Sequence, residues 1–355
     1  MKAFAAYPDD RTIRETQEPV PQPAGREVLL KVTHSGVCHS DLHLLDGYYD
    51  LGSRGHLQMT DRGITYPLVM GHETVGEVVA SGPEATGVSA GDVRLVFPWI
   101  GCGECTRCLA GHDNACAGMR ALGVGRSGGY AEYILVPDSK YLVNIDGIDP
   151  AWAATLACSG VTSFSAINKV LPLPAEAPIA VIGAGGVGLT AISLLKALGH
   201  ETTFVLDLNQ DNLHLAEQAG ASKTLQIDPA TGAAEALAAF DGPIDAVIDF
   251  VNNTQTAGMA FDMLSKGGTM IQVGLFGGEL TVPTSLLTTK MITIRGSYVG
   301  NLTELEQMVS LAQRGQVPRT RITPGPLTAR GVQDSLEALE DRRIGGRIVL
   351  SPELA

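Results

Sequence analysis

From Val28 to Pro137 the chain runs in short β-branched or apolar stretches, VLLKVTHSGV, TVGEVVASG, VRLVF and YAEYILVP, cut at close intervals by Gly, Pro and Asp. Strand-length runs between turn residues predict a compact β-rich domain. At Ala177 the rhythm changes. IAVIG leads into a helical stretch ending at Leu198, after which TTFVLD, NLHLAEQAG, KTLQI, EALAAF, DAVIDF, MAFDML and TMIQVGLF alternate strand-like with helix-like patterns. Such alternation predicts a parallel sheet wound on both faces. Beyond Arg295 the pattern is mixed again. Helices are expected from Leu302 to Arg314 and from Val332 to Leu339, then a closing strand RIVL, so this last part is expected to return to the first domain. The Pro-rich stretch LPLPAEAP, residues 171–178, marks the clearest joint between the two halves, although a joint about 15 residues earlier fits as well.

Length and charge narrow the classes. At 355 residues the chain holds two to three domains' worth of sequence at roughly 100–200 residues per domain. Its 25 Lys and Arg against 38 Asp and Glu leave a net charge of −13, and no basic run exceeds the Arg342-Arg343 pair. Binding to a phosphate backbone, which needs clustered cations, is therefore disfavoured. The two longest uncharged stretches, Pro150 to Asn168 and Ala177 to Leu195, approach the roughly 18 residues of a membrane helix. Ser and Thr in the first and GAGG in the second argue against a span, so no membrane partner is expected. The opening MKAFAAYPDDRT lacks the apolar core of an export leader, which makes a reducing cytoplasm the expected compartment. There, six cysteines point to metal ligands or catalytic groups before disulfides.

Gly183, Gly185 and Gly188 form G-x-G-x-x-G directly after IAVI and before an apolar-periodic helix. The first glycine permits the tight turn, the second lets the backbone approach a pyrophosphate, and the third allows close packing of helix on strand. The helix N-terminus then offers free N–H groups to the phosphates. Asp207 ends the next strand 24 positions after Gly183, near the offset of about 20 expected for a carboxylate that binds the adenosine ribose. No Arg or Lys follows it to greet a 2′-phosphate, so NAD is expected as cofactor rather than NADP.

The cysteines fall into two sets. Cys102, Cys105, Cys108 and Cys116 give C-x2-C-x2-C-x7-C in a loop with Gly101, Gly103 and Gly111. Four thiolates on one tetrahedral ion leave no open position, which predicts a structural zinc, with an iron–sulfur cluster as the competing reading. Backbone N–H groups of the loop should point at the sulfurs. The remaining Cys38 and Cys158, with His72 of GHE, would supply two sulfurs and one imidazole and leave a fourth position free, the catalytic arrangement for zinc. The plain alternative is a small buried hydrophobe and a satisfied core histidine.

Together GHETVGEVVASG, the four-cysteine loop, CHSDLH and the GAGGVG turn resemble the zinc-dependent alcohol dehydrogenases of the medium-chain dehydrogenase/reductase superfamily, essentially end to end. Within that family the chain looks most like the tetrameric bacterial and archaeal enzymes, which share CHSDxH, a long loop such as Tyr48 to Tyr66, and a V-G-L-F-G turn like Val273 to Gly277. The resemblance implies an α/β fold with a Rossmann doubly wound parallel sheet over 156–295. It also implies a β-rich GroES-like catalytic domain from 1–155 and 296–355, carrying the zinc loop at about 101–117. It implies a catalytic zinc on Cys38, His72 and Cys158, with Glu73 beside it as an occasional ligand and Asp41 orienting His72. Ser40 and His43 would form a proton relay, Thr162 and Val187 would touch the nicotinamide, and Arg347 would grip a phosphate. Gly186, His39 and Asn212 join the cofactor-binding set, while Tyr49, Trp99, Leu275 and Tyr298 would line the substrate pocket.

The activity implied is reversible NAD-dependent oxidation of primary and secondary, aliphatic or aromatic alcohols. Two zinc ions per chain and a homo-oligomer, a tetramer before a dimer, go with it. Two departures stand out: His39 replaces an Arg that faces the pyrophosphate in many relatives, and Asn212 replaces a Lys that some relatives place near the adenosine ribose. Relatives acting on polyols commonly put Glu where Cys158 stands, which makes a sugar alcohol the second choice of substrate. A non-catalytic zinc- and NAD-binding redox sensor is the rival from another class.

Overall fold

The computed structural model describes residues 1–355. Five strands of the first part and the last two strands of the chain form one sheet, in the order Leu142–Asn144, Val93–Val96, Glu73–Ser81, Val28–Val37, Arg347–Ser351 and Ile322–Pro326, with Tyr133–Val136 also paired along Val28–Val37. Lys2–Tyr7 pairs with Thr12–Gln17 and Leu68–Val69 in a sheet of its own, and Tyr48–Asp50 with His56–Gln58 in another. Val28–Val37 is the spine of the large sheet: Val28 to Leu30 and Ser35 to Val37 are buried, and only Lys31 faces solvent, so the strand is covered on both faces at its two ends. Arg347–Ser351 runs antiparallel beside it, with Ile348 opposite Val37 and Leu350 opposite Ser35, so the end of the chain packs on its first half.

The second sheet has six parallel strands ordered Lys223–Gln226, Thr203–Asp207, Ile179–Ile182, Ile244–Asp249, Leu264–Gln272 and Thr293–Gly296. Numbered along the chain this is 3-2-1-4-5-6, the doubly wound order in which the crossover direction reverses between the first and fourth strands and opens a crevice at their carboxyl ends. All four residues of Ile179–Ile182 are fully buried, because helices cover both faces, and this explains why IAVI reads as a continuous apolar run. One apolar cluster runs from Leu30 through Trp152 and Phe164 to Ile192 and Leu195. The two lobes therefore share packing beneath the crevice. A second cluster, with Phe204, Phe240 and Phe261, fills the other face of the parallel sheet.

Most predicted elements occur where the pattern puts them. The helix expected from Val332 begins earlier, at Ala329, because the Thr328 hydroxyl oxygen accepts the Gly331 N–H at 3.0 Å and caps it. Several elements have no counterpart in the sequence pattern, among them the strands Lys2–Tyr7 and Thr12–Gln17 and the helices His39–Asp46 and Thr284–Thr289, and the longest joins the lobes. Pro150–Asn168 is a continuous helical crossing between the lobes, started by Asp149, whose carboxylate accepts the Trp152 N–H at 3.1 Å, and interrupted by a π-helical turn at Leu156–Gly160. Nearly every side chain from Trp152 to Ile167 is buried, so no polar stripe reveals a 3.6-residue period. The Ser159 hydroxyl donates to the Thr155 carbonyl and Ser163 to that of Ser159, both at 2.8 Å, side-chain competition that accompanies bending.

The glycine turn after Ile182 gives a paired prediction. A Cβ on Gly188 would stand 1.8 Å from the Gly183 carbonyl oxygen, whereas one on Gly185 would meet nothing within 4 Å. Gly188→Ala is expected to cost on the order of 1–3 kcal/mol in chemical denaturation, while Gly185→Ala stays within about 0.5 kcal/mol of the unaltered chain.

Candidate functional site

The crevice at the strand reversal holds a cavity of about 250 Å³ lined by Gly183, Gly185, Gly186, Val187, Gly188, Asp207, Asn212, His39 and Arg347. Gly183 has φ +92, the left-handed region that only glycine enters freely, so the chain can turn from strand into the helix Gly186–Ala197. The Asp207 carboxylate is fixed by the turn it faces, accepting the Ala184 N–H at 2.6 Å, the Asn209 N–H at 2.8 Å and the Asn212 amide at 3.3 Å. Asn212 thus braces Asp207. His39 stacks at 5.0 Å on Phe276, and burial in the first place holds its pKa below the ordinary histidine value.

Next to this crevice lie Cys38, His72, Glu73 and Cys158, all buried, each offering a ligand atom within 4.8 Å of the others. Cys38 caps the helix His39–Asp46, His72 and Glu73 lead into the strand Glu73–Ser81, and Cys158 hangs from the π-helical turn. Extra residues in such a turn re-aim a side chain, here into the cluster. The Cys38 and Cys158 sulfurs are 3.7 Å apart. Two thiolates about 2.3 Å from one tetrahedral ion stand roughly 3.8 Å apart, while a disulfide bond would need about 2.05 Å. His72 Nε2 is buried and has no protein partner, and Nδ1 lies 3.3 Å from Asp41. Two soft sulfurs, one imidazole and this spacing fit zinc.

The electrostatics follow from burial. Contact with the Cys158 thiol, first of all, holds Cys38 well below the usual thiol value against the opposing effect of burial, and the same contact pushes Cys158 up. Burial disfavours a charged His72, but the Asp41 carboxylate outweighs it and raises the imidazole. Glu73 is pushed up to about 7 by burial, with the Arg347 guanidinium, its ion-pair partner, pulling the other way.

Ser40 Oγ lies 3.9 Å from the Cys38 sulfur, and His43, one helical turn on, has its ring 5.3 Å from Tyr49. Thr162 is buried on the crossing helix with its hydroxyl unpaired, and the neighbouring Ser163 hydroxyl donates to the Val187 carbonyl at 2.8 Å, tying the crossing helix to the glycine turn. The four pocket candidates divide. Tyr49 and Leu275 line a separate cavity of about 230 Å³. Trp99, only 1% exposed, packs 5.3 Å from His72 and 6.0 Å from Tyr298, and its indole N–H donates to the Ala157 carbonyl at 2.9 Å.

In the loop 101–117 the sulfur separations are 3.5 Å for Cys105 and Cys108, 3.8 Å for Cys105 and Cys116, and 4.0 Å for Cys102 and Cys108. These again match thiolates on one tetrahedral ion; a cluster would spread them over several metal atoms. The Cys102 N–H donates to Cys116 and the Cys105 N–H to Cys102, both at 3.4 Å. Cys105 is drawn down to about 7, first by backbone donation from Cys108. The buried Asp113 carboxylate pins the loop by accepting the Gly101 N–H and the Tyr141 hydroxyl, each at 3.1 Å.

Two residues of the site escaped the sequence. The Tyr130 hydroxyl donates to Asp41 Oδ2 at 2.9 Å, and nothing about a tyrosine in YAEYILVP signals it. Asp249, fully buried at the carboxyl end of its strand, accepts the Val251 and Asn252 N–H groups at 2.9 and 2.8 Å with one oxygen, while the other is unpaired. Its signal was position: a strand-ending carboxylate at the reversal point.

The alcohol dehydrogenase GroES-like domain matches residues 24–147, and the zinc-binding dehydrogenase family matches residues 186–314. An NAD-dependent alcohol dehydrogenase of Sulfurisphaera tokodaii is 33% identical over 99% of this chain and 100% of its own. Among solved structures, the alcohol dehydrogenase of Aeropyrum pernix is 30% identical with a TM-score of 0.88, covering 99% of this chain and 100% of its own. The D-arabinose dehydrogenase of Sulfolobus solfataricus is 28% identical with a TM-score of 0.82 over the same shares.

Asp249 supplies a pH test. Burial pushes its carboxyl up to about 6 from the ordinary value of about 3.9. The folded state therefore holds this proton more tightly than the unfolded one, and stability must fall as pH rises from about 4 through 6, by on the order of 2–3 kcal/mol. Asp249→Asn keeps an acceptor for both N–H groups and removes the titration. In urea unfolding across pH 4–7, the unaltered chain should lose that stability relative to the variant.

Proposed function

The chain belongs to the zinc- and NAD-dependent alcohol dehydrogenases of the medium-chain dehydrogenase/reductase superfamily, and from that premise we propose that it reversibly oxidises primary and secondary, aliphatic or aromatic alcohols, with two zinc ions per chain. The observation that carries this reading is the convergence of Cys38, His72 and Cys158 beside the cavity behind the glycine turn. Cys38, His72 and Cys158 would hold the catalytic ion, with Glu73 at its edge, and Cys102, Cys105, Cys108 and Cys116 the structural one. Zinc supplies a Lewis acid that lowers the pKa of an alcohol hydroxyl, and NAD supplies the hydride acceptor.

The side chains do the remaining work. Asp41, itself held by the Tyr130 hydroxyl, fixes the ring of His72. Ser40 would take the substrate's hydroxyl proton at Oγ while giving up its own hydroxyl proton toward His43, three residues on along the same helix face, whose ring releases a proton to solvent. Burial lowers the pKa of His43, so a proton taken up by its ring is readily released. Gly183 to Gly188 seat the pyrophosphate, Asp207 takes the ribose, Thr162 and Val187 meet the nicotinamide, and Arg347, anchored in place by Glu73, keeps its Nε as one fixed donor to a phosphate. Tyr49 and Leu275 would border the substrate space, with Trp99 and Tyr298 packed behind it rather than lining it, and the preference for apolar alcohols over polyols rests on the family likeness. With the lobes taken as 1–155 with 296–355 and as 156–295, both contribute to the site: Cys38, Ser40, His43 and His72 come from the first, and Cys158 and the glycine turn from the second. We also propose a tetramer that works in the cytoplasm; no helix is long and apolar enough to cross a membrane.

The likeness to D-arabinose dehydrogenase, named for a polyhydroxylated sugar, supports one second reading, a polyhydroxylated substrate such as a sugar alcohol or a sugar. A panel of ethanol, 2-butanol, benzyl alcohol, sorbitol and D-arabinose with NAD, followed by NADH absorbance, separates the two, and benzyl alcohol should outpace sorbitol. Metal analysis of the same sample should return two zinc per chain. Ser40→Ala should lower turnover by about 10²–10⁴ at full zinc content. Cys38→Ser should lose both turnover and one zinc equivalent; full activity with both ions retained would refute the ligand assignment.

A further inference from the structure

Arg342 is one of six non-glycine residues with positive φ, at +54. It follows Asp341, which ends the helix Ala329–Glu340, and its N–H donates to the Leu339 carbonyl at 3.1 Å. At this position after a helix the left-handed conformation favours glycine, and any other residue bears strain. A glycine would close the helix equally well, so the arginine side chain needs a separate reason. Its surroundings supply one. Arg342 lines the same cavity as the glycine turn, together with Leu339, Ile344 and Gly346. Its guanidinium has no ion pair: Asp341, the nearest carboxylate in sequence, is taken by Arg343 at 2.9 Å. The turn that carries it is fixed on both sides. A Cβ on Gly346 would stand 2.4 Å from the Arg321 carbonyl oxygen, and one on Gly345 would stand 3.2 Å from Leu215 on the helix beyond Asp207. The other arginine in the cavity, Arg347, is buried and engaged by Glu73, and position 39 carries a histidine.

We infer that Arg342 binds the pyrophosphate of the dinucleotide, supplying from the end of the chain the mobile cation that position 39 lacks. This rests on the NAD-binding reading above. A strained backbone held over a ligand cleft, an unpaired guanidinium and a helix N-terminus across the cavity are the parts of a phosphate clamp.

The test is equilibrium binding of NADH, NADPH and ADP-ribose, read by fluorescence or calorimetry at low and moderate salt, for the unaltered chain and for Arg342→Gly and Arg342→Lys. Glycine suits the left-handed turn, so Arg342→Gly should keep or raise the thermal midpoint. It should raise the Kd of NADH and of ADP-ribose alike, by about five- to twentyfold, and flatten their salt dependence. Arg342→Lys should recover most of the loss. Tight NADH binding unaffected by Arg342→Gly overturns the assignment alone, and so does a loss confined to NADPH, which would place the cation at a ribose 2′-phosphate. Failure of the unaltered chain to bind NADH overturns the cofactor reading beneath it.

Discussion

A buried guanidinium and a buried carboxylate hold this molecule's working parts in one place. Arg347 opens the closing strand, Glu73 opens the strand two places across the same sheet, and their side chains meet with almost no solvent around them. Arg347 also lies against Gly186, where a Cβ would come within 2.5 Å of its side chain, so one residue touches both the glycine turn and the edge of the Cys38, His72 and Cys158 cluster. Two charges taken out of water repay that cost only when geometry is good and further charges complete the balance. Two thiolates, the Glu73 carboxylate, one guanidinium and a divalent cation would sum to zero, with His72 neutral, and the Asp41 carboxylate behind His72 is offset by the hydrogen bonds it accepts from the Cys38 N–H and the Tyr130 hydroxyl. The crevice is therefore an electrostatic unit as much as a packing one, and removing either partner of the pair would leave a charge stranded inside it.

Much of the fold could be read from the sequence because its strands and helices obey simple periods. IAVI, TTFVLD and DAVIDF were recognisable as strands of a parallel sheet because helix-like segments alternate with them, and the glycine turn by its place between one of them and a helix. The crossing helix Pro150–Asn168 was hidden for the same kind of reason: wrapped on all sides, it has no polar face to mark its turns. With it went the π-helical turn that delivers Cys158, since no local pattern distinguishes one extra residue per turn in a uniformly buried stretch.

The metal-type residues were legible through spacing and chemistry, while their supports were not. C-x2-C-x2-C-x7-C announces convergence because the sulfurs are close in sequence. Cys38 and Cys158, 120 residues apart, are linked in the sequence only by the want of other partners and by family resemblance. Tyr130 and the Arg347–Glu73 pair act through contacts between residues far apart in the chain, and a tyrosine or an arginine carries no mark of what lies opposite it. The aromatic residues show the limit most plainly. Trp99 is sealed in the core with its N–H spent on Ala157, whereas Tyr49 borders an open cavity, and both would have read alike as isolated aromatics.

Asp249 shows how the sheet's own architecture reaches the cleft. Its carboxylate gathers the N–H groups of Val251 and Asn252; Asn252, in the left-handed conformation, donates its amide to the Gly274 carbonyl at 2.9 Å and accepts from Gln272 at the same distance. The loops that follow two neighbouring strands are thus locked to each other. Val251 in turn packs on Gly183, where a Cβ would stand 2.9 Å from its methyl group. The unpaired oxygen of Asp249 is a cost in stability, and what it secures is a rigid floor: the glycine turn, the loop beside it and the Val273 to Gly277 turn move as one body. A cleft that must hold a reacting carbon against a ring within fractions of an ångström gains more from such a floor than from a few kcal/mol of stability.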